Sequence, residues 1–302
     1  MKALELGRRI VRRGSVLAGV LGLVTSNSAI GQTGGMLSGA ELTVVQVSDS
    51  GDYLVYEYSV VNGSGSSASI AGISLDLSAV GAGHSILAMT GRFDDGVATR
   101  PGGTSFTSHV PFGAISPNNW QAFLMRFGTL EWFGIRGGTF ALDTVAVGTE
   151  ATGFGLRSPY LPGLRDYSAE PSWQSCCSSP MSSGVGVNPG EHYSPEDFAA
   201  SGVTVGPTRA ASDLVNAQTT LNAVSSDLTE VCALGWVSNR TCRSLNRSIN
   251  RVLKDLGRNR TRGVMRSLGR VITTLEGSRG RSVNENAYWL LRVNLEYAIS
   301  QL

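Results

Sequence analysis

Histidine and lysine are scarce in this chain of 302 residues, which contains three histidines and only two lysines beside 23 arginines. His84, His109 and His192 lie far apart and form no His-Glu-x-x-His motif, so the sequence gives no support to a zinc hydrolase. Charged residues are also few, at 16%, whereas hydrophobic residues reach 41%. This balance excludes a disordered acidic chain and predicts a folded protein.

Long apolar runs are lacking as well. The longest apolar run, from Val16 to Val24, is about half of the ~20 residues that span a bilayer. Arginines precede this run and the small-x-small tripeptide Ala29-Ile30-Gly31 follows it. Residues 1–31 are therefore predicted to be a signal peptide for the general secretory route, cleaved after Gly31. No cysteine follows the run to accept a lipid. We expect a secreted or surface-associated product without a transmembrane segment.

Cysteine is limited to four residues, which allow three pairings: Cys176, Cys177, Cys232 and Cys242. Cys232 and Cys242 flank a short turn between two helical patterns, and an oxidising compartment favours a disulfide between them. Closing this short loop would contribute roughly 2 to 3 kcal/mol. Three states remain open for Cys176 and Cys177: a vicinal disulfide, pairing between chains, or free thiols. Zinc is not favoured, since only His192 lies near them.

Charge is distributed unevenly along the chain. Residues 1–31 carry five basic groups and one acid, residues 32–208 carry six and fifteen, and residues 209–302 carry fourteen and seven. The formal net charge of +2 therefore conceals an acidic middle and a basic end.

Residues 32–207 predict an all-β domain, an antiparallel sandwich of the immunoglobulin-like type. Apolar residues alternate with polar ones at Leu54–Val60 and Ile73–Leu77, as one buried sheet face requires. After residue 157 the alternation of apolar and polar residues is lost, apart from one final predicted strand at Val203–Val205. Gly206-Pro207 is expected to end the strands. The other candidate strands are Ile86–Thr90, Ser105–Phe112, Trp120–Phe127, Glu131–Ile135, Thr139–Val147 and Thr152–Leu156.

Candidate sites in this half are few, and each has a structural alternative. Aromatic side chains at Trp120, Trp132, Phe133 and Trp173 would suit a platform for sugar rings, but core packing is the favoured interpretation. Acidic loops at Asp49–Asp52 and Asp94-Asp95 offer oxygen ligands to Ca²⁺, although such loops are more often plain turns. Gly63-Ser64-Gly65 lies between two strands, which argues against a serine-hydrolase elbow. No pair of carboxylates stands out for glycoside hydrolysis.

Residues 208–302 predict four amphipathic helices, because apolar residues recur every three or four positions. Turn residues separate them at Gly235–Asn239, Gly257–Asn259 and Gly277–Arg281. Ser282-Val-Asn-Glu285 matches a capping box at the start of the last helix. Loops this short make neighbouring helices antiparallel, so the fold class of this part is a separate up-down four-helix bundle.

Within this part, four segments carry a resemblance to a known family: Gly235-Trp236-Val237, Ser244-Leu245, Val271–Leu275 and Ala287–Leu291. Residues 221–302 resemble the FIMAH domain, a small helical module at the ends of secreted bacterial proteins and large extracellular enzymes. Val271 stands where the family motif favours Phe, so the match rests on helix lengths and turns. The resemblance implies an extracellular accessory role and no catalytic residues.

Basic side chains repeat at helical spacing in the same part, where residues 239–270 hold ten basic groups and one acid. Like charges at this spacing repel, so they are either solvated or meet an anion. A solvated face is the favoured interpretation, and the alternatives are docking onto an acidic sandwich or binding an anionic polysaccharide. The candidate anion-binding residues are Arg243, Arg247, Arg251, Lys254 and Arg258 on one helix and Arg262, Arg266 and Arg270 on the next.

These patterns together predict an exported, non-catalytic protein that binds extracellular carbohydrate or protein or serves as a surface scaffold. A secreted hydrolase with its site in the sandwich loops is the alternative, and self-assembly through the acidic and basic parts of neighbouring chains is a third hypothesis. No cofactor is expected, with calcium the one option kept open. Nucleic acid is not expected, because the export signal and the lack of aromatic residues among the arginines oppose it.

Overall fold

The structure, a computed structural model, shows a sheet-rich first part and a helical second part, as predicted. It describes residues 36–51, 53–78, 114–117, 119–124, 128–134, 143–172, 199–210, 213–214 and 216–302. The predicted signal peptide, the three histidines, Asp94-Asp95, Trp173, Cys176 and Cys177 lie outside the described residues. The same holds for the candidate strands Ile86–Thr90 and Ser105–Phe112.

In the described residues, nine strands form two antiparallel sheets. The four-stranded sheet has the order β1-β2-β7-β4 and the five-stranded sheet has the order β5-β6-β3-β8-β9. The strands are β1 (Glu41–Asp49), β2 (Leu54–Val61), β3 (Ile70–Asp76), β4 (Ala114–Ile115), β5 (Trp120–Leu124), β6 (Thr129–Gly134), β7 (Glu150–Ser158), β8 (Leu161–Pro171) and β9 (Ala200–Arg209).

Aromatic side chains from both sheets pack together in the core. Phe154 of β7 makes edge contacts with Trp120 and Trp132 of the five-stranded sheet, at ring-centroid distances of 5.0 and 6.1 Å. Trp132 and Tyr58 are fully buried, and their rings are 6.1 Å apart. Edge and tilted geometries are the ones that aromatic pairs prefer. Trp120 and Trp132 are therefore core residues, in line with the favoured interpretation of these aromatics.

Strand β8 corrects the expectation that periodicity is lost after residue 157. Its buried positions do alternate, but they include Gly163, Arg165 and Pro171 among Leu161, Tyr167 and Ala169. Glycine, proline and arginine are poor signals of a buried strand, so the alternation was hidden.

Strand β9 shows that Gly206-Pro207 does not end the strands, because β9 continues to Arg209 and crosses the predicted boundary between residues 207 and 208. Proline is tolerated there because β9 is an edge strand that pairs with β8 alone. In the described part of Thr139–Val147, only Val145 forms a bridge, with Ile70.

Four helices follow: α1 (Ala217–Ala233), α2 (Asn239–Leu256), α3 (Thr261–Ser278) and α4 (Glu285–Ser300). Each contacts its neighbours in sequence, and α4 also contacts α1, so the four enclose a common apolar core. Eight side chains, two from each helix, leave a cavity of only about 10 Å³ in that core. A space of this size is at the lower limit for a single water, so this core is closely packed.

The helix caps differ in one place from the prediction. Helix α4 is capped by Asn284, whose side chain accepts a hydrogen bond from the amide of Ala287, and not by Ser282. The Ser282 hydroxyl instead accepts a hydrogen bond from Thr241, which joins this loop to the start of α2. A true capping box stands at Asn216 and Thr219, at the start of α1.

Candidate anion-binding surface

All eight predicted basic residues are exposed in the structure. Four lie on α2, Arg258 follows the end of that helix at Gly257, and three lie on α3. The buried residues of α2 are Cys242, Leu245, Ile249 and Val252, so its basic residues occupy the opposite side of the helix. We call the eight side chains the basic surface.

Helix α3 repeats this arrangement. Its buried residues are Val264, Leu268, Val271 and Leu275, and its three arginines lie on the other side of the helix. Helices α2 and α3 pack against each other, and both turn their apolar sides to the common core. Their basic sides therefore face outward on neighbouring helices, so the two sets of basic residues belong to one surface.

Arg240 belongs to the same face but was not among the predicted residues. It is exposed and stands three residues before Arg243, so it is a neighbour of Arg243 on the helix surface. The signal in the sequence was this spacing, which extends the series of basic residues by one member toward the start of α2.

None of the eight residues of the basic surface forms an ion pair within the described chain. Asp255, the one acid in residues 239–270, lies 3.9 Å from Arg260 instead. The Arg243 Nε donates only to the carbonyl of Asn239, one turn earlier. An uncompensated set of like charges raises the local potential and attracts anions. The basic surface is thus free to accept an anionic ligand.

The basic surface lies on the side of the helical part that is away from the sheets. Helix α4 packs against β1, β8 and β9, whereas α2 and α3 make no comparable contact with any described strand. We call α1 and α4 the inner pair and α2 and α3 the outer pair. In the described part of the chain, the basic surface is therefore not docked onto the sheets.

The outer pair is tied to the inner pair by the predicted cysteine pair. The sulfur atoms of Cys232, near the end of α1, and Cys242, in the first turn of α2, are at a disulfide distance of 1.99 Å. In the loop between them, Ser238 caps α2 and its amide donates to the carbonyl of Ser282. These contacts fix the direction in which α2, and with it the basic surface, leaves the inner pair.

Helix α4 joins the sheets through side-chain hydrogen bonds to strand β1. This strand is at the edge of its sheet and has a bulge between Val44 and Gln46. The amide of Val44 donates to Asn286 Oδ1 at 2.8 Å, and Trp289 Nε1 donates to the carbonyl of Val45 at 2.8 Å. Side chains of α4 thus satisfy backbone groups that the edge strand leaves unpaired.

A second connection is a partly buried ion pair between β9 and α1. Arg209 donates to both carboxylate oxygens of Asp227, at 2.7 and 2.5 Å, and only 3% of the Asp227 side chain is exposed. Burial raises the pKa of Asp227, and the hydrogen bond and charge of Arg209 oppose that rise. Neither the pair nor the contacts of Asn286 and Trp289 were predicted, because each joins residues distant in sequence.

Two carboxylates on the five-stranded sheet form the other notable cluster. Strands β6 and β8 flank β3. Glu131 of β6 lies opposite Ser74, and Glu170 of β8 lies opposite Gly72. Their neighbours Leu130, Trp132 and Ala169 are buried, so both carboxylates point away from the core. Burial raises the pKa of both, and the charge of Glu170 raises that of Glu131 further.

The remaining site predictions concern metals and membranes. Asp49 Oδ1 accepts a hydrogen bond from the Gly51 amide at 2.7 Å, as in a plain turn. Among the residues that the structure describes, no three His, Cys, Asp or Glu side chains are grouped to hold a metal ion. No helix in the described ranges is long and apolar enough to cross a membrane.

Comparison with protein-family models, with curated proteins and with solved structures finds no match to this chain.

Proposed function

We propose that this protein is an exported, non-catalytic binding or surface-scaffold protein that engages an anionic partner through its outer pair of helices. The observation that supports this proposal most is the basic surface, whose eight exposed cations have no acidic partner in the described chain. Export rests on the signal-peptide pattern of residues 1–31. The site of action would be outside the cytoplasm or at the cell surface.

The finer architecture is part of the same proposal. We take the two sheets as an immunoglobulin-like β-sandwich and the helices as an up-down four-helix bundle related to the FIMAH family. Aromatic contacts between the sheets and the closed series of helix contacts support these assignments. The sheet part would then hold the helical part in place, and the outer pair would contact the ligand.

Binding of the full chain to soluble acidic polymers at two ionic strengths tests this function. We expect binding that weakens as salt increases, because the contacts are between exposed charges. The double variant Arg247→Gln/Arg251→Gln should bind more weakly. Arg157→Gln/Arg281→Gln removes the same charge from exposed positions elsewhere and is the matched control. Equal binding by both double variants, or no binding to any acidic polymer, would contradict the proposal.

A secreted hydrolase remains the second candidate, and the carboxylate pair Glu131 and Glu170 favours it. Glycoside hydrolysis uses one carboxylic acid with a raised pKa and one ionised carboxylate, and burial raises the pKa of both Glu131 and Glu170. A panel of glycosides, esters and peptides tests this alternative. Turnover that is lost in both Glu131→Gln and Glu170→Gln, while folding is retained, would establish the hydrolase and overturn the non-catalytic proposal.

A further inference from the structure

The basic surface differs from a typical protein-binding surface in what surrounds its charges. Protein interfaces have a central cluster of apolar and aromatic side chains that carries most of the binding energy. Among the described residues, the only large hydrophobic side chains classed as exposed are Val147, on the sheet part, and Met265. The basic surface therefore has charge in abundance and almost no apolar anchor, which suits a hydrophilic ligand better than a folded partner.

From this we infer that the basic surface binds a linear acidic polysaccharide whose sugar units carry carboxylates, an inference that rests on the proposed function. Arginine suits this ligand because its planar guanidinium pairs with a carboxylate through two parallel hydrogen bonds. Seven of the eight cations of the basic surface are arginines. Arginine outnumbers lysine by 23 to two in the whole chain, so the basic surface shares its choice of arginine with the rest of the protein.

Spacing along the helices fits a ligand with regularly repeated charges. Arg243, Arg247 and Arg251 are four residues apart, which corresponds to about 6 Å along the helix axis. Arg262, Arg266 and Arg270 repeat that spacing on α3. From Arg243 to Arg258 the series covers about 22 Å, long enough to contact several consecutive sugar units of an extended chain.

Neutral polar side chains lie beside the arginines of α2 and suit a ligand rich in hydroxyl groups. Asn250 is exposed and is three residues from Arg247 and four from Lys254, so it is adjacent to both on the helix surface. Ser244 is also exposed and is four residues from Arg240 and three from Arg247. An amide and a hydroxyl each donate and accept hydrogen bonds, as recognition of sugar hydroxyls between the charged groups requires.

The acidic face of a second copy is the competing partner. Glu131, Glu170 and the exposed Asp166 would supply its charge, but they are set in a sheet and do not form an extended series. A chain of acidic residues without sugar hydroxyls, such as polyglutamate, imitates the charge of a protein partner. Comparison of the two polymers separates these ligands.

Titration of the full chain with polygalacturonate tests the inference. The controls are polyglutamate at equal carboxylate concentration and fully methyl-esterified polygalacturonate at an equal concentration of sugar units. We expect polygalacturonate to bind at least roughly fivefold more tightly than polyglutamate, and the methyl ester not to bind. Arg247→Gln/Arg251→Gln and Arg262→Gln/Arg266→Gln should each weaken polygalacturonate binding by roughly five- to tenfold. Asn250→Ala, which keeps the charge, should reduce the preference over polyglutamate.

Three outcomes would overturn the inference. Equal affinity for the two charged polymers would leave the proposed anionic function in place but remove the polysaccharide. The surface would be assigned to a second copy if the chain did not bind polygalacturonate but self-associated in sedimentation. That self-association would have to weaken with salt and be lost in Arg247→Gln/Arg251→Gln. Absence of binding to both polymers and of self-association would remove the proposed function as well.

Discussion

Helices α2 and α4 have similar lengths but bury their side chains differently, and this difference separates the inner pair from the outer pair. Helix α2 buries one side, and its basic residues occupy the other. Helix α4 buries residues on nearly every side, including Asn286, Tyr288 and Asn294. A helix that is buried on all sides contacts more than one layer, whereas an amphipathic helix has a face for solvent or ligand. The inner pair thus provides attachment and the outer pair provides surface.

The ion pair between Arg209 and Asp227 offers the strongest way to disrupt the inner pair. Asp227→Ala leaves the Arg209 guanidinium partly buried without its partner, and removing one member of such a pair costs roughly 3 to 5 kcal/mol. Because 24% of the Arg209 side chain is exposed, we expect a loss of about 3 kcal/mol in the free energy of unfolding, measured with urea. Ser226→Ala, at an exposed position on the same helix, is the control, and an equal loss there would refute the effect.

The disulfide joins the two pairs, and its removal tests how far the outer pair depends on it. Cys232→Ser/Cys242→Ser should lower the free energy of unfolding by roughly 2 to 3 kcal/mol, because the unfolded chain gains the freedom of a short loop. Urea unfolding of this variant and of wild type, both under oxidising conditions, measures the difference. Reduced wild type should resemble the variant; unchanged stability in either sample would argue against the bond.

Asn286 tests the contact between α4 and the edge strand. In Asn286→Ala the amide of Val44 loses its acceptor in a buried position, which costs about 1 to 3 kcal/mol. Thermal unfolding of the variant should show this loss, and Asn222→Ala, at an exposed position of α1, should be close to neutral. If both substitutions had the same small effect, the edge contact would not contribute to stability.

Gly269 gives the mildest test, on the outer pair. A Cβ at this exposed position inside α3 would meet no atom within 4 Å. Gly269→Ala should therefore stabilise the protein by about 0.5 to 1 kcal/mol through helix propensity alone. Chemical unfolding checks this value. A destabilised variant would show that this side of α3 is covered and not available to a ligand.

Sequence patterns predicted those features of the molecule that depend on local periodicity. The alternation of Tyr56, Tyr58 and Val60 predicted a buried strand face, and the spacing of the arginines predicted the exposed side of α2. Strand β8 was missed because Arg165 occupies one of its buried positions, where Nε donates to the carbonyl of Pro207. A buried arginine has the same appearance in a sequence as an exposed one.

Contacts between distant residues account for the rest of what was not predicted. The attachment of α4 depends on Asn286 meeting a strand more than 240 residues earlier, and no local pattern records such a meeting. One signal was present in the sequence, because apolar residues occur on nearly every side of α4. A helix that contacted only its own bundle would have a polar side. The placement of Glu131 and Glu170 on either side of β3 was equally hidden, because it results from the order of strands in the sheet.

Thermal unfolding of the full chain with and without polygalacturonate tests the division between attachment and binding most directly. A ligand that binds only the folded state raises the midpoint, by several degrees at about 100 times Kd for a chain of this size. We predict that Arg247→Gln/Arg251→Gln unfolds at the wild-type midpoint without polymer and, because its Kd is weakened roughly five- to tenfold, loses about a third to a half of the rise with polymer. A lowered midpoint without polymer, or a full rise with it, would contradict the account.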